Sequence, residues 1–326
     1  MKPAWNITAN DIGLSGKINR RVDSIQYHDA KDGEADDLTI EFDDYDNALA
    51  IPPKGAKLSL KMGWHGKALH DKGVFVVDEV EHSGAPDRLV ITARSADFRA
   101  AFRTLRSASW DAGITVTQVV DTLAQRYGLK PKVGDTLAAL VLQQINQANE
   151  SDSSLLARLG KQHDATATVK NGYLLFFPKG KGETATGNLL PVAPVHRSMT
   201  SRHSYKSEDK TTRFTGVEAR WYDNDAAQMK VVVAGATGNL KKIRDPLPDQ
   251  QQATEAAKSE WARVQRGAAK MSITIDPGMP ELVNGQTVVL TGWKETIDAH
   301  DWLIDDLNHE TGTGGLVTRV ELVTKA

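Results

Sequence analysis

DDLTIEFDDYDNALAIPPKGAKLSLKMGW, residues 36–64, decides the fold class. Leu38, Ile40 and Phe42 alternate with polar residues at its start, and Leu58, Leu60, Met62 and Trp64 alternate at its end. A period of two puts one face of each run on a core and the other in water, which is the antiparallel-sheet pattern. Pro52, Pro53 and Gly55 separate the two runs and cannot sit inside a central strand without weakening it. The pattern continues outward. Val74 to Val80 and Leu89 to Ala93 read as strands, with Gly63, Gly66, Gly73, Gly84 and Pro86 as punctuation. Several short strands at close spacing predict a small barrel or sandwich over the first hundred residues.

The texture changes near Trp110. In TVTQVVDTLAQRYG, residues 115–128, Val116, Val119, Val120, Leu123 and Tyr127 recur at helical spacing. Thr115 and Gln118 have the spacing of a capping box, and Gly128 stands where a left-handed stop is expected. A second helix is expected within 151–163. Asn171-Gly172, between two strand-like runs, predicts a tight hairpin with a type I′ turn. Residues 179–211, rich in Gly, Lys, Thr, Ser and Pro, read as a long connection. Strands return in RFTGVEARWYD and MKVVVAGA, and 251–267 is helical by composition and by the spacing of Ala253, Ala257, Trp261 and Val264. From Met271 onward the chain is again β, with strands at Ile273 and Ile275, Val288 to Leu290, Trp302 to Ile304 and Val317 to Leu322. TGTGG, residues 311–315, reads as the turn between the last two strands. This order predicts an α+β protein with two β-rich bodies.

The chain's 326 residues suggest two or three domains. Hydrophobic content is 40%, charged content 25% and net charge −2. Those values suit a soluble globular protein, and the scattered Lys and Arg give no nucleic-acid footprint. With no cysteine, disulfides, thiol catalysis and Cys-ligated zinc are excluded. No run approaches the ~20 apolar residues of a membrane span, and MKPAWNITANDIGLSG lacks a signal-peptide core.

The richest concentration of catalytic residue types is QANESDSSLLARLGKQHDA, residues 147–165. A Ser/His/Asp triad requires its members to meet in space. Ser151 to Ser154 precede His163 by more than two helical turns, so one helix would hold them apart, and no G-x-S-x-G elbow is present. Capping accounts for the same residues. Ser151 is expected to cap a helix, Asp152 to favour its positive end, and Leu155, Leu156 and Leu159 to form its buried stripe. Neither His65 with His70 nor His300 with His309, even with Asp298, Asp301, Asp305 and Asp306 nearby, has the i, i+4 spacing of a helical metal pair. GATGNLKK and GKGETATG do not fit the phosphate-binding loop pattern. No local context singles out a pair of carboxylates for glycoside hydrolysis. No catalytic, cofactor-binding or metal-ligating residue is assigned, and no cofactor is expected.

Several segments resemble one family. DDLTIEFDDYDNALAIPPKGAKLSLKMGW resembles the opening of the phage late control gene D proteins, the baseplate hubs of contractile tails. These are similar to the hub portion of the type VI secretion spike protein VgrG and to R-type pyocin hubs. GVFVVDEVEHSGAPDRLVITARSADF and RTLRSASWDAGITVTQVVDTLAQRYGL continue the resemblance. The Gln147 to Asp152 segment, GMPELVNGQTVVLTGW, and WLIDDLNHETGTGGLVTRVEL extend it to the second β-rich body. Their order and spread across most of the chain carry it, and 179–211 matches poorly.

The resemblance implies two antiparallel β-barrels joined by an α/β middle region, with three chains forming a pseudo-sixfold ring. The expected domains are a first barrel at 1–105, a middle domain at 106–211, and a second barrel at 212–326 interrupted by a helical insertion at about 236–270. The implied function is that of a structural, non-enzymatic hub that adapts a sixfold tail tube to a threefold central spike. The alternative is a tail-associated peptidoglycan hydrolase or a carbohydrate-binding module. The implied partners are the chain itself as a homotrimer, a central spike protein, the tail tube or its initiator, and a tape measure protein. Sequence-specific nucleic-acid binding and stable membrane insertion are not expected. The implied location is the virion tail baseplate, after synthesis and assembly in the host cytoplasm. The chain stops at Ala326, shortly after the second barrel, so the spike is expected to be a separate polypeptide, as in phage and pyocin hubs. Trp64, Trp110, Trp221, Trp261, Trp293 and Trp302 are candidates for subunit interfaces, with core burial as the competing reading.

Overall fold

The computed structural model describes residues 1–10, 12–13, 16–30, 35–95, 102, 104–170, 172–180, 182, 188–207, 214–266 and 269–325. The first β-body comprises β1 (Pro3–Ala9), β2 (Ile12–Gly13), β3 (Val22–Asp29), β4 (Asp37–Asp43), β5 (Lys57–Trp64), β6 (His70–Ser83) and β7 (Arg88–Ser95). Its strands run in the order β3-β4-β7-β6-β5-β1-β2, antiparallel throughout. The alternation read from the sequence is the alternation of burial. Leu38, Ile40, Phe42, Leu58, Leu60 and Met62 lie in the core, joined by Ile25, Tyr27 and Phe75.

The middle body follows, with β8 (Leu105–Trp110), α1 (Val116–Tyr127), β9 (Lys130–Val133), β10 (Ile145–Ser151), α2 (Asp152–Gln162), β11 (Ala165–Lys170) and β12 (Tyr173–Pro178). Thr115 and Gln118 form the capping box in both directions, and Gly128 ends α1 at φ 67°. The five expected apolar positions of α1 are buried against Leu155, Leu159 and Phe176. β11 and β12 form the expected hairpin, with Lys170 opposite Tyr173 and Gly172 at φ 77°. Asn171, the other turn residue, lies outside the described residues. β9 adds to β12 in parallel.

β13 (Ala193–His196) and β14 (Thr200–Ser207) come next. They correct the reading of 179–211 as one long connection, because β13 pairs with β19 (Thr287–Thr291) and β14 with β18 (Ala269–Ile275). β14 is the polar run TSRHSYKS on a sheet edge, so it lacks the apolar alternation that a half-buried strand shows. β15 (Gly216–Asp223), β16 (Gln228–Gly235) and β17 (Leu240–Lys242) form a separate three-stranded sheet. α3 (Gln250–Gln265), capped by Asp249, packs its Ala253, Ala257 and Val264 against Val217 and Ala219 of β15. β15 and β16, expected in the second barrel, pair only within this small sheet among the described residues.

The second β-body is completed by β20 (Asp301–Gly312) and β21 (Gly315–Thr324), whose turn falls within TGTGG. Its core holds Val195, Ile273, Ile275, Leu290, Trp302 and Leu322. β20 is shared between the bodies. On one edge, its first residues pair with β19 through Asp301 to Leu303, and its last with β3 through Leu307 to Gly312. A register shift between Ile304 and Asp306 marks the changeover. The hairpin therefore contributes Leu316 to the first core and Val320 and Leu322 to the second.

This junction bears on the two expected barrels. Closing a sheet requires its first and last strands to meet with a fixed stagger. β20 occupies one edge of β3, and among the described residues the pairings join thirteen strands in one sheet, eleven of them along a single path from β14 to β2 with β19 and β13 branching from β20; closure into a barrel is not detected there. The fold is mostly β with few helices, where an α+β fold was expected. Trp64, Trp110 and Trp302 are buried in cores, whereas Trp221, Trp261 and Trp293 are half-buried.

Candidate functional site

The serines and the histidine of the 147–165 segment stay apart. Ser151 caps α2, its Oγ accepting the Ser154 N–H at 3.1 Å and lying 2.9 and 2.8 Å from the hydroxyls of Ser153 and Ser154. His163 is at the opposite end, as the C-cap, with its Nδ1 3.6 Å from Glu255 of α3. Burial pushes its imidazole below the ordinary value, with Glu255 acting in the other direction. The more informative residue is Asp152, which is fully buried. Its Oδ2 accepts from Tyr127 at 2.5 Å and Arg126 at 2.6 Å, with Arg106 at 3.5 Å, and its Oδ1 accepts from Gln147 at 2.8 Å. Burial raises the Asp152 carboxyl, but the donors from Gln147, Tyr127 and Arg126 outweigh it and hold the group below its ordinary value. A carboxylate so enclosed by donors joins β8, β10, α1 and α2; its lone pairs are committed to structure.

The histidine pairs do not converge either. His309 is fully buried and His300 exposed, its ring edge-on to Trp302. His65 and His70 are both exposed. Asp298 accepts the N–H groups of Gly292 and Trp293, and Asp306 meets His28 at 2.6 Å. Among the described residues no three His, Asp or Glu side chains are grouped to hold a metal ion.

The polar centre of the molecule lies where the two β-bodies and the middle body meet. A cleft of about 410 Å³ opens there, lined by Tyr27 and Lys72 of the first body, Thr168 and Leu175 of the middle one, and Asn284 and Leu303 of the second. On its wall Lys170, at the tip of the β11–β12 hairpin, reaches Asp29 at 2.5 Å and Asp36 at 3.2 Å. Both carboxylates are buried, at the end of β3 and just before β4. Asp29 also accepts the Asn284 N–H at 3.0 Å, and Asn284 Nδ2 donates to the Asp305 carbonyl at 3.1 Å. One carboxylate thus takes donors from the middle body and from the second β-body. Burial raises the Asp36 carboxyl to about 6, with Lys170 opposing and Asp29 reinforcing. Burial lowers Lys170 as well, but Asp29 and Asp36 outweigh it and leave the ammonium above its ordinary value.

A second layer stands behind this one. Lys72 Nζ lies 3.2 Å from His309 Nε2, 3.3 Å from the Leu282 carbonyl, and 5.3 Å from the centre of the Tyr27 ring. Burial lowers Lys72 to about 8 and, with Lys72 beside it, pushes His309 well below its ordinary value. An ammonium facing Nε2 requires a neutral imidazole that accepts there and donates from Nδ1 to Thr318 Oγ1 at 2.9 Å. Desolvated titratable groups lining a cleft often mark functional sites. In this cleft their partners come from separate bodies, so the chemistry available is cohesion between them. His309 stands out in the sequence only as half of a histidine pair considered for metal, and Asp29, Asp36, Lys72 and Lys170 carry no local signal. Each of the four resembles an ordinary surface charge, and Lys170 meets Asp29 across 141 residues.

The family model described as "Phage tail baseplate hub (GPD)" matches residues 47–315. The chain is similar to the probable baseplate hub protein of Escherichia phage 186, 34% identical across 100% of this chain and 94% of that one. It is 32% identical to the probable baseplate hub protein of Escherichia phage P2, across 99% and 93% of the two chains. Among solved structures, the 43 kDa tail protein of prophage MuSo2 from Shewanella oneidensis aligns with a TM-score of 0.70, at 14% identity and 98% of both chains. A tail protein of Neisseria meningitidis MC58 aligns with a TM-score of 0.71, at 12% identity and 99% and 97%. An E. coli component of the type VI secretion system aligns with a TM-score of 0.58, at 12% identity and 98% and 77%. The three structural likenesses extend the shared fold across nearly the whole of this chain.

Proposed function

Because the chain belongs to the phage tail baseplate hub (GPD) family and is itself a structural baseplate hub protein, we propose that three copies form a ring that adapts a sixfold tail tube to a threefold central spike. Two β-bodies per chain supply six similar bodies per ring, which is the number a pseudo-sixfold face requires. The observation that carries this reading is the shared β20–β21 hairpin. It fuses the two β-bodies edge to edge, so each subunit would present them at a fixed mutual angle. The ionic joint at Asp29 and Lys170 would then brace the middle body against that pair.

In this reading the hub binds the central spike on one face and the tail tube or its initiator on the other, with a tape measure protein as a further contact. It works by shape and cohesion, without a catalytic step or a cofactor, in the baseplate of a contractile tail built in the host cytoplasm. The barrel-like bodies would be 1–105 and the part of 188–326 outside the small sheet. The middle domain would begin near 106, and the insertion would run from about 214 to 266. Relatives that are hub proteins favour this over a peptidoglycan hydrolase or a carbohydrate-binding module.

Solution mass tests the ring. Sedimentation or light scattering of the full chain, alone and mixed with the spike protein of the same particle, is expected to give a trimer in at least the mixture. Monomers under both conditions would overturn the proposal.

A further inference from the structure

The small inserted sheet has two unlike faces. Val217, Ala219 and Trp221 of β15 and Val232 and Ala234 of β16 turn toward α3. The other face carries Met229, Val231 and Val233 of β16, all exposed, with Tyr222 opposite Met229 and Arg220 opposite Val231. β16 is also an edge, pairing with β15 alone among the described residues. Its continuous register contains no bulge, and its sequence QMKVVVAG contains no proline. Its one charge, Lys230, is engaged with Asp223. Among the described residues the usual protections of a soluble edge strand are therefore missing.

The backbone phase sharpens this. Ala236 N–H donates to the Thr215 carbonyl, so the hydrogen-bonded pairs of this ladder fall at Ala234, Val232 and Lys230. The N–H and C=O groups of Met229, Val231 and Val233 consequently point away from β15, into the open edge. The three residues that expose apolar side chains also offer the free backbone groups. Beside them lies a cation, Arg220, with no ion pair to a carboxylate among the described residues. Arg220 has a buried Nε with no acceptor and gives Nη2 to the Arg244 carbonyl, while Arg244 is itself exposed. Glu218 faces Lys242, and Asp223 is taken by Lys230.

We propose that the β16 edge and the Met229–Val231–Val233 face bind an extended strand of a partner protein, one that alternates apolar residues and places a carboxylate against Arg220. Backbone pairing would supply affinity and the arginine would supply selection. The surface lies outside the joint between the bodies, so the proposal stands or falls independently of the ring.

The test uses fluorescein-labelled octapeptides of alternating valine and threonine with a terminal glutamate at each end. Matched peptides carry lysine in place of glutamate, or a central proline. Anisotropy with the full chain is expected to show saturable binding of the glutamate peptide, at least about tenfold tighter than the lysine peptide, and none of the proline peptide. Arg220→Gln should remove the glutamate preference while keeping binding, and Val231→Lys should abolish binding with an unchanged thermal melt. Three results would overturn the proposal: no saturable binding of the glutamate peptide, equal binding of all three peptides, or self-association of the chain that Val231→Lys suppresses. The last would make a second copy the occupant.

Discussion

Asp152 and Lys170 are charged residues used for cohesion, and their environments predict different responses to substitution and pH. Ser151→Ala, next to Asp152, removes the acceptor for the Ser154 N–H. It is expected to lower stability by about 0.5–2 kcal/mol in equilibrium denaturation, at the upper part of the range because two further hydroxyls lose a partner. Asp36 and Lys72 predict pH dependence of opposite kinds. The folded Asp36 carboxyl, raised to about 6, holds a proton that the unfolded chain releases near 3.8. Its contribution is therefore full below 3.8 and lost as pH rises through 6. The folded Lys72, lowered to about 8, gives up a proton that the unfolded chain keeps to 10.5, so stability is gained as pH climbs from 8 to 10.5. Each arm is expected to amount to at most on the order of 3 kcal/mol. Denaturation curves from pH 4 to pH 10 should show Asp36→Asn flattening the acid arm and Lys72→Met the alkaline one. An unchanged slope in either variant would mean that the residue is not buried as described. None of this was legible beforehand. Asp29 and Lys170 end the strands β3 and β11 and Asp36 lies just before β4, and only a contact across 141 residues makes them a cluster.

At the scale of elements, local physics was readable where it is self-contained. The capping box at Thr115, the stop at Gly128 and the cap at Ser151 follow from neighbours in sequence. So do the alternating strands β4 and β5. β14 was not readable, because a polar edge strand is defined by its partner β18 and not by its own pattern. β15 and β16 read correctly as strands but were assigned to the wrong sheet, since period two identifies a face and leaves the neighbour open. Gly160 of α2 makes the same point as a prediction. In an exposed helix interior, glycine to alanine adds about 1 kcal/mol of stability. Here an added Cβ would stand 2.7 Å from the Ala165 carbonyl oxygen, which is backbone of β11. Gly160→Ala is therefore expected to reduce the melting temperature, and an increase would show that α2 and β11 can separate without cost.

At the scale of the whole molecule, two β-rich bodies were legible and their union was not. Their sequences gave no sign that β3 would leave its own sheet incomplete and accept β20, some 280 residues later. That pairing joins the two bodies into one continuous sheet. It also makes the bodies one cooperative unit, so a single denaturation transition is expected for probes in both. Trp64 and Trp302 are natural reporters, each buried in a different core. Two separated transitions, followed with single-tryptophan variants, would count against a shared hairpin.

The same hairpin sets a clock. Leu316 belongs to the core begun by Ile7, and Leu307 to Gly312 supply the edge that β3 lacks. While the chain is still emerging from the ribosome, its N-terminal body has nothing to finish it. Contacts this distant in sequence are slow to form and leave strand edges exposed meanwhile. Nascent chains ending before residue 300 should remain protease-sensitive throughout their first hundred residues, and resistance should arrive in one step once β20 and β21 have been made. A subunit built in this way cannot offer a half-formed body for assembly, because neither body is finished until both are.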